Sequence, residues 1–371
     1  MRFLTFVTAA VLLLPVVFAK DQPEIDIELV KFIEENKQTE LRNYLKKKIP
    51  INVKNTALRL AVEKNRVKIA RALIDNGANI NVQDEKGITP LIIAAIKNYP
   101  SMVRMLLISN ANERIKDKNG DTALIHSIRS NYMECFTILS NTYPEIDEQK
   151  ARGKALFIAV KLGRIEMAKI LIERHADLEY HFYGETALTV ASARGYFDVV
   201  KLLIEKGADV NIVLWEACRY GNIDVALWEA CRYGHIDIAK LLIENGADVN
   251  VKDEIFSVTA LMLANNKNRS EEDCIKLMKL LIENGADTEV EDKSNTTVLL
   301  QAAIEGRFDI VKFLIKNGAN ILFVKNRHLP NIFVSRKTKQ TVIGCLIKHA
   351  FTKFKDFVKQ KIRKILTIVE L

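Results

Sequence analysis

The feature that most constrains this 371-residue chain is a three-residue marker that recurs at a nearly constant interval. It reads Gly-Ala-Asp or a close variant, and it occupies residues 77–79, 110–112, 175–177, 207–209, 246–248, 285–287 and 318–320. The central alanines are 33, 65, 32, 39, 39 and 33 residues apart, and 65 corresponds to two periods with a degenerate marker near Thr142. Such a period is typical of a protein that grows by stacking similar units, without one central core.

Each repeating unit has the sequence pattern of two short helices. In the unit that begins at Thr89, the threonine precedes Pro90 and an apolar run with an alanine pair, and a second apolar run from Met102 leads to the next marker. Threonine is a favourable N-cap, and the apolar residues recur at helical spacing. We expect a left-handed residue to end the first helix, and the marker glycine to end the second. The glycines expected to separate paired helices are Gly163, Gly195, Gly234 and Gly306.

These motifs resemble those of the ankyrin-repeat family, over about eight units between roughly residues 50 and 321. The resemblance implies an all-α fold, an ankyrin-repeat solenoid of helix–turn–helix units with short β-hairpin tips. It also implies a groove, formed by the tips and the inner helices, that holds a protein partner.

The chain departs from the family at one position. Members favour Thr-Pro-Leu-His at the start of the first helix, where the threonine and the histidine support each other by hydrogen bonds. Here the histidine is replaced by Ile92, Ile125, Phe157, Thr189, Trp228, Met262 and Leu300. We therefore expect looser, less stable repeats than those of an idealised array.

A tandem duplication interrupts the array, because residues 214–226 are nearly repeated in 227–239. A tip in a regular unit spans ten residues, whereas three residues separate Asn211 from the first copy and sixteen separate it from the second. We therefore expect the second copy to form the first helix of its unit. The first copy is either a binding insertion or a slippage tolerated at a surface loop. A second irregularity, at 265–275, is predicted to lengthen the loop between two helices.

The first nineteen residues have the layout of a secretory signal peptide. Arg2 supplies a positive charge, residues 3–14 are almost wholly apolar, and Val17 and Ala19 are small residues that precede Lys20. We therefore expect export, into the periplasm or out of the cell. Because the apolar stretch of about 17 residues is at the lower limit for a membrane span, a retained N-terminal anchor is the alternative.

The net charge of +9 is concentrated at the C-terminus, where residues 322–371 contain twelve basic and two acidic residues. Residues 350–369 have the apolar spacing of an amphipathic helix. That helix either caps the last repeat or brings its basic face to an anionic membrane or a partner. Its basic residues are Lys353, Lys355, Lys359, Lys361, Arg363 and Lys364. The predicted organisation is thus a signal peptide at 1–19, capping helices at 20–50, repeats at 51–321 and a basic cap at 322–371.

The sequence contains no motif typical of a phosphate-binding loop, a dinucleotide fold, a zinc site or a serine hydrolase. We therefore predict a protein that is not an enzyme and that uses no cofactor or metal. A basic tail alone is weak evidence for nucleic-acid binding, so none is expected. The predicted function is that of an exported, monomeric binding protein, such as a secreted effector of a host-associated bacterium. The alternative is a periplasmic structural or protective scaffold.

Candidate contact residues are aromatic and apolar side chains at the hairpin tips and in the duplication. Four consecutive aromatic or imidazole side chains at 180–183 are unusual on a turn unless something covers them. These side chains are covered either by a partner protein or by the neighbouring tip. The complete set is Tyr180, His181, Phe182, Tyr183, Ile255, Phe256, Trp215 and Tyr220.

Overall fold

The computed structural model describes residues 26–142, 149–211, 226–252 and 256–320. These ranges contain eighteen α-helices and one two-stranded antiparallel sheet. The chain divides between His175 and Ala176 into two compact units.

The first unit consists of five consecutive helix pairs. Its helices are α1 (Ile27–Glu34), α2 (Gln38–Tyr44), α3 (Ile51–Glu63), α4 (Val67–Asp75), α5 (Pro90–Ile96), α6 (Pro100–Ile108), α7 (Ala123–Arg129), α8 (Met133–Ser140), α9 (Gln149–Lys161) and α10 (Ile165–Glu173). Each odd-numbered helix packs against the even-numbered helix that follows it. The odd-numbered helices also pack against one another in sequence, and so do the even-numbered ones.

The second unit begins with a hairpin and continues with four helix pairs. Its elements are β1 (His181–Phe182), β2 (Glu185–Thr186), α11 (Ala187–Arg194), α12 (Phe197–Glu205), α13 (Ala226–Tyr233), α14 (Ile236–Glu244), α15 (Ala260–Ala264), α16 (Glu271–Glu283), α17 (Val298–Ile304) and α18 (Phe308–Lys316). The first helices α11, α13 and α15 pack in sequence, as do the second helices α12, α14, α16 and α18. Paired helices in sequential contact confirm the predicted solenoid.

Threonine begins the first helices as predicted. The hydroxyl oxygens of Thr89, Thr259 and Thr297 each accept a hydrogen bond from the backbone N–H three residues later. Thr186 forms a reciprocal capping box with Thr189, in which each hydroxyl accepts from the other residue's backbone N–H. Thr122 has the same extended backbone, but its side chain makes no capping hydrogen bond.

Residues in the left-handed conformation end the first helices, except α15, which is followed by Asn265 with φ of −79°. Gly163, Gly195, Gly234 and Gly306 have φ between 69° and 83°, which confirms the prediction. In the first unit, asparagine takes most of these positions, with φ between 55° and 58° at Asn36, Asn65, Asn98 and Asn131. Asparagine tolerates this conformation better than other side chains, so the two units use different residues for one turn.

Apolar side chains fill the space where the family has its histidine. Ile92, Phe157, Trp228 and Leu300 are buried, as are the other apolar residues of that row. Thr189 is also buried, and its hydroxyl closes the capping box. Burial of one such large apolar side chain contributes about 1.5–3 kcal/mol, which offsets the loss of the family's hydrogen bond. The lower stability that we expect of these repeats stays a prediction.

The second copy of the duplication forms α13, as predicted. Leu227, Trp228 and Cys231 of this copy are buried in the helix stack. The first copy, apart from Ala226 at the start of α13, lies outside the described residues.

The insertion at 265–275 lengthens the loop as predicted, and it also lengthens the helix that follows. Residues 265–270 lie between α15 and α16, whereas only Gly234 and His235 lie between α13 and α14. The remaining residues extend α16 to 13 residues, compared with 9 in α14. The hydroxyl of Ser270 caps the extension, and Glu271, Glu272 and Asp273 occupy its first turn. An N-cap and acidic residues at the start favour a helix over a loop.

The N-terminal segment contributes two helices to the first unit. α1 packs against α3, and α2 packs against α4. The side chain of Asp26 caps α1 and also accepts a hydrogen bond from the Tyr44 hydroxyl at 2.8 Å. No helix in the described part of the chain combines the length and the apolarity needed to span a bilayer.

Candidate functional site

The tip at 180–183 is a tight β-hairpin. β1 and β2 pair antiparallel, with His181 opposite Thr186 and Phe182 opposite Glu185. The two residues between the strands, Tyr183 and Gly184, have φ of 53° and 86°. Positive φ at both central residues is the requirement of a type I′ turn, whose twist matches that of the flanking strands.

Two of the four predicted tip side chains are exposed. Phe182 is 47% exposed and Tyr183 is 65% exposed. Their rings pack edge to face, with centroids 4.4 Å apart. Tyr180 and His181 are half-buried, and the His181 Nδ1 lies 3.3 Å from the carbonyl oxygen of Glu179. The exposed part of the tip is therefore the pair Phe182 and Tyr183, which we call the aromatic tip.

The aromatic tip differs from other tips in its construction. Asp84, Asp117 and Asp292 each follow the marker alanine by six residues, and one carboxylate oxygen of each accepts two backbone N–H groups of its own turn. Phe182 takes that position in its unit, where the segment between marker and N-cap threonine is one residue shorter. The backbone pairing of β1 and β2 closes this turn in place of the aspartate hydrogen bonds. The turn therefore does not depend on the Phe182 side chain.

The other described tips are turns and not strands. Two backbone hydrogen bonds close the turns at Asp84, Asp117 and Asp292, as from Asp84 N–H to the Ile88 carbonyl at 3.2 Å and from Gly87 N–H to the Asp84 carbonyl at 2.9 Å. Neighbouring tips are also joined, since Lys118 N–H donates to the Lys86 carbonyl at 2.9 Å and Lys293 N–H donates to the Phe256 carbonyl at 3.0 Å.

The remaining candidate residues have separate positions. Phe256 is 58% exposed beside the tip that contains Lys293. Ile255, Trp215, Tyr220 and the basic tail residues lie outside the described residues.

A row of side-chain to backbone hydrogen bonds joins consecutive units, and the sequence interpretation missed it. The residue three positions after a marker alanine accepts from the N–H one position after the next marker alanine. Asn211 accepts from Asp248 at 2.9 Å, and Asn250 accepts from Asp287 at 2.9 Å. The signal in the sequence was the Asp-x-Asn spacing that recurs after the markers. We call this row the asparagine ladder.

Glutamate takes the asparagine position of the ladder at two rungs. Glu179 Oε1 accepts from Asp209 N–H at 2.9 Å, and Glu289 Oε1 accepts from Asn320 N–H at 2.8 Å. Burial raises the pKa of the Glu179 carboxyl, the Asp209 hydrogen bond opposes this, and the charges of Asp209 and Asp177 add to the increase. A carboxylate at position 179 is therefore less favourable than the neutral amide of the asparagine rungs.

A cluster of charged side chains holds the tip at 117–121. Asp117 Oδ2 lies 2.9 Å from His126 Nε2. The buried carboxylate of Asp121 pairs with Arg129 Nε at 2.8 Å and with Lys154 Nζ at 2.9 Å. Burial raises the pKa of the Asp117 carboxyl, but hydrogen bonds from Asp121 N–H and His126 outweigh it and leave this pKa lowered. The cluster joins a tip to α7 and α9.

The first helices of the first unit end in exposed side chains just before each left-handed residue. These positions form an edge of the helix stack, because α3, α5, α7 and α9 pack in sequence. The exposed residues at this edge are Glu35 at the end of α1 and, along the next four first helices, Glu63, Lys64, Ile96, Lys97, Arg129, Ser130, Lys161 and Leu162.

Comparison with known families agrees with this geometry. The family model described as ankyrin repeats (three copies) matches residues 58–150, 142–213, 183–253 and 227–324. These matches extend over well more than half of the chain. A search of curated proteins found no match to this sequence.

Proposed function

Because the chain belongs to the ankyrin-repeat family, we propose that it acts by binding another protein, and that the aromatic tip is part of the contact. Ankyrin repeats present exposed side chains on a packed helical scaffold and imply protein–protein interaction. The chain keeps this scaffold while it varies individual tips.

The observation that carries the proposal is the exposed pair Phe182 and Tyr183. Phenylalanine and tyrosine bury large areas when a partner covers them, and aromatic residues are enriched among the strongest contacts of interfaces. The turn also holds Tyr183 in a left-handed conformation that disfavours a bulky side chain. Strain of this kind is retained where it serves a purpose.

Binding rather than catalysis agrees with how the charged side chains are used. The carboxylates of Asp84, Asp117 and Asp121 accept hydrogen bonds that close turns and join helices. Their role in the repeat is structural, which supports a scaffold whose exposed residues are contacts.

We also propose that the protein is exported and acts as a secreted effector. The support is the charge, apolarity and small-residue pattern of residues 1–19. The test is mass spectrometry of the mature N-terminus in culture fluid, periplasm and membrane. A chain that begins at Lys20 in culture fluid is expected. An intact leader in the membrane would favour the anchor, and a processed chain confined to the periplasm would favour the scaffold.

The binding proposal is tested by proximity labelling in the native host with the full chain fused to a labelling enzyme. Phe182→Ser with Tyr183→Asn removes both rings, and asparagine suits the left-handed turn. The control is Phe197→Ser with Phe308→Ser, which removes two exposed phenylalanines at the starts of second helices.

The tip variant is expected to lose specific labelled proteins that the control variant retains. Unchanged labelling in the tip variant would exclude the aromatic tip as the contact. Equal losses in both variants would show that general surface apolarity, and not this tip, attracts the labelled proteins.

A further inference from the structure

Opposite charges are separated along the repeats. Residues 26–175 contain 26 basic and 18 acidic residues, a net charge of +8. Residues 176–320 contain 15 basic and 24 acidic residues, a net charge of −9. The near neutrality of the chain before its basic tail therefore conceals a basic first unit and an acidic stretch of repeats in the second.

Part of the positive charge of the first unit lies on the edge where its first helices end. Lys64, Lys97, Arg129 and Lys161 are all exposed there. Packed helix axes are about 8–10 Å apart, so four consecutive helices place these groups along roughly 30 Å. The acidic residues among the exposed edge positions of the described first helices of this unit are Glu63 and Glu35, and Glu35 is paired with Lys37 at 2.6 Å.

Two aliphatic side chains lie among the charges. Ile96 is 37% exposed and precedes Lys97, and Leu162 is 41% exposed and follows Lys161. We call these two residues, together with Lys64, Lys97, Arg129 and Lys161, the basic edge.

Three of the basic side chains of the basic edge make contacts within their own unit. Lys64 Nζ lies 3.5 Å from Glu34, Arg129 Nε lies 2.8 Å from Asp121, and Lys161 Nζ lies 5.3 Å from the Phe157 ring centroid. Restricting long basic side chains in advance lowers the entropy cost of binding.

The same positions of the second unit have a different character. They hold Ala193 and Arg194 at the end of α11, Arg232 and Tyr233 at the end of α13, and Ile304 and Glu305 at the end of α17, and Arg232 is paired with Glu229 at 3.0 Å. A basic residue at the end of each of four consecutive first helices is therefore a property of α3, α5, α7 and α9 and not of the repeat as such.

We propose that the basic edge binds an acidic segment of a partner protein, with aliphatic side chains between its carboxylates. This inference rests on the proposed function and names the chemistry of the partner. Carboxylates complement the four basic groups, and aliphatic side chains of the segment cover Ile96 and Leu162. A nucleic acid fits less well, since single strands bind by stacking bases on aromatic rings and none of the six residues is aromatic.

The test is fluorescence anisotropy with the full mature chain and a labelled peptide of four Glu-Asp-Leu repeats. Twelve extended residues reach about 40 Å, which is enough to span the edge. The comparison probes are a Lys-Lys-Leu peptide of the same length, a single-stranded oligothymidine and phosphatidylserine vesicles.

The test variant is Lys97→Glu with Lys161→Glu. The matched control is Lys68→Glu with Arg71→Glu, which makes the same change of net charge on α4 of the same unit, at exposed positions away from the edge. Circular dichroism establishes that both variants are folded.

We expect the acidic peptide to bind the wild-type chain, with affinity that falls as salt is added. The test variant should weaken binding about tenfold or more, because two attractions become repulsions. The control should stay within about twofold. Equal weakening in both variants would overturn the inference, because net charge alone would then explain the binding. Stronger binding of the oligothymidine or of the vesicles, dependent on the same two lysines, would overturn it as well.

Absence of peptide binding would also overturn the inference. The proposed function is tested separately, because labelling that depends on Phe182 and Tyr183 does not require the basic edge. A chain that labels partners through the aromatic tip and ignores the acidic peptide would keep the first proposal and lose the second.

Discussion

Tyr183 shows at the scale of one residue how this chain uses an unfavourable conformation. A non-glycine residue in the left-handed region costs about 1–2 kcal/mol. Asparagine followed by glycine is the preferred pair for the two central positions of a type I′ turn, and Gly184 already supplies the glycine. The tyrosine is therefore not the residue that stability alone would select.

Tyr183→Asn is expected to raise the free energy of unfolding by about 0.5–1 kcal/mol, because asparagine tolerates positive φ. The same change should weaken partner binding, because it removes an exposed ring. Urea denaturation measures the first effect. Tyr183→Phe is the control, since it keeps both the ring and the strain, and a less stable asparagine variant would contradict the account of this turn.

Glu179 is the residue where pH should change stability in a known direction. Its pKa is raised in the folded chain, mainly by burial. The charged form is then penalised by folding, so the penalty is present at neutral pH and disappears as pH falls through the raised pKa to the ordinary one.

Glu179→Gln is therefore expected to stabilise the chain at pH 7 and to lose that advantage near pH 4. Denaturation of both chains at the two pH values measures the difference. Glu289→Gln is the matched control, because Glu289 occupies the same ladder position in another unit and accepts from Asn320 N–H at 2.8 Å. A stabilisation that does not depend on pH would rule out the charge as its cause.

At the scale of elements, the sequence predicted the helix pairs, the threonine caps and the glycine turns, because each depends on residues close together in the chain. It did not reveal the asparagine turns of the first unit, where Asn65 and Asn98 do what Gly195 does in the second. It also missed that Phe182 takes the position of a turn-closing aspartate. The asparagine turns and the replaced aspartate are seen only when the units are aligned position by position. The unit that contains Phe182 is one residue shorter before its N-cap threonine, which shifts this alignment.

Asp121 joins two first helices, since Arg129 belongs to α7 and Lys154 to α9. Asp121→Ala leaves two basic groups without their buried carboxylate, but both are partly exposed to water. We expect a loss of about 1–3 kcal/mol in the free energy of unfolding. A double-mutant cycle with Lys154→Met measures the pairwise part, and purely additive losses would show that the pair does not couple α9 to the tip.

The duplication offers a second prediction about elements. Burial raises the pKa of the Cys231 thiol in α13 to about 12. Since thiolates are the reactive form, a variant that retains only Cys231 should resist alkylation by iodoacetamide until it is unfolded.

Cys218, the counterpart in the first copy, provides the comparison in a variant that retains that thiol alone. Rapid alkylation of Cys231 with protection of Cys218 would mean that the first copy, and not the second, occupies the position of α13.

At the scale of the whole molecule, the repeat explains the fold, and the departures from the repeat suggest the function. The units share one plan of helices and turns, yet they differ in turn residues, in charge and in tip construction. Such differences cost little in a stack where each unit contacts only its neighbours. The aromatic tip and the basic edge are departures of this kind, and each presents side chains that its own unit does not fully cover.

The central claim is that a protein partner contacts the aromatic tip, and site-specific photo-crosslinking tests it most directly. A photoreactive amino acid replaces Tyr183 in one chain and Phe197, also exposed in the second unit, in another. The account predicts a crosslinked partner, identified by mass spectrometry, from position 183 and not from position 197. Crosslinks of equal yield at both positions, or a partner crosslinked only through 197, would contradict it.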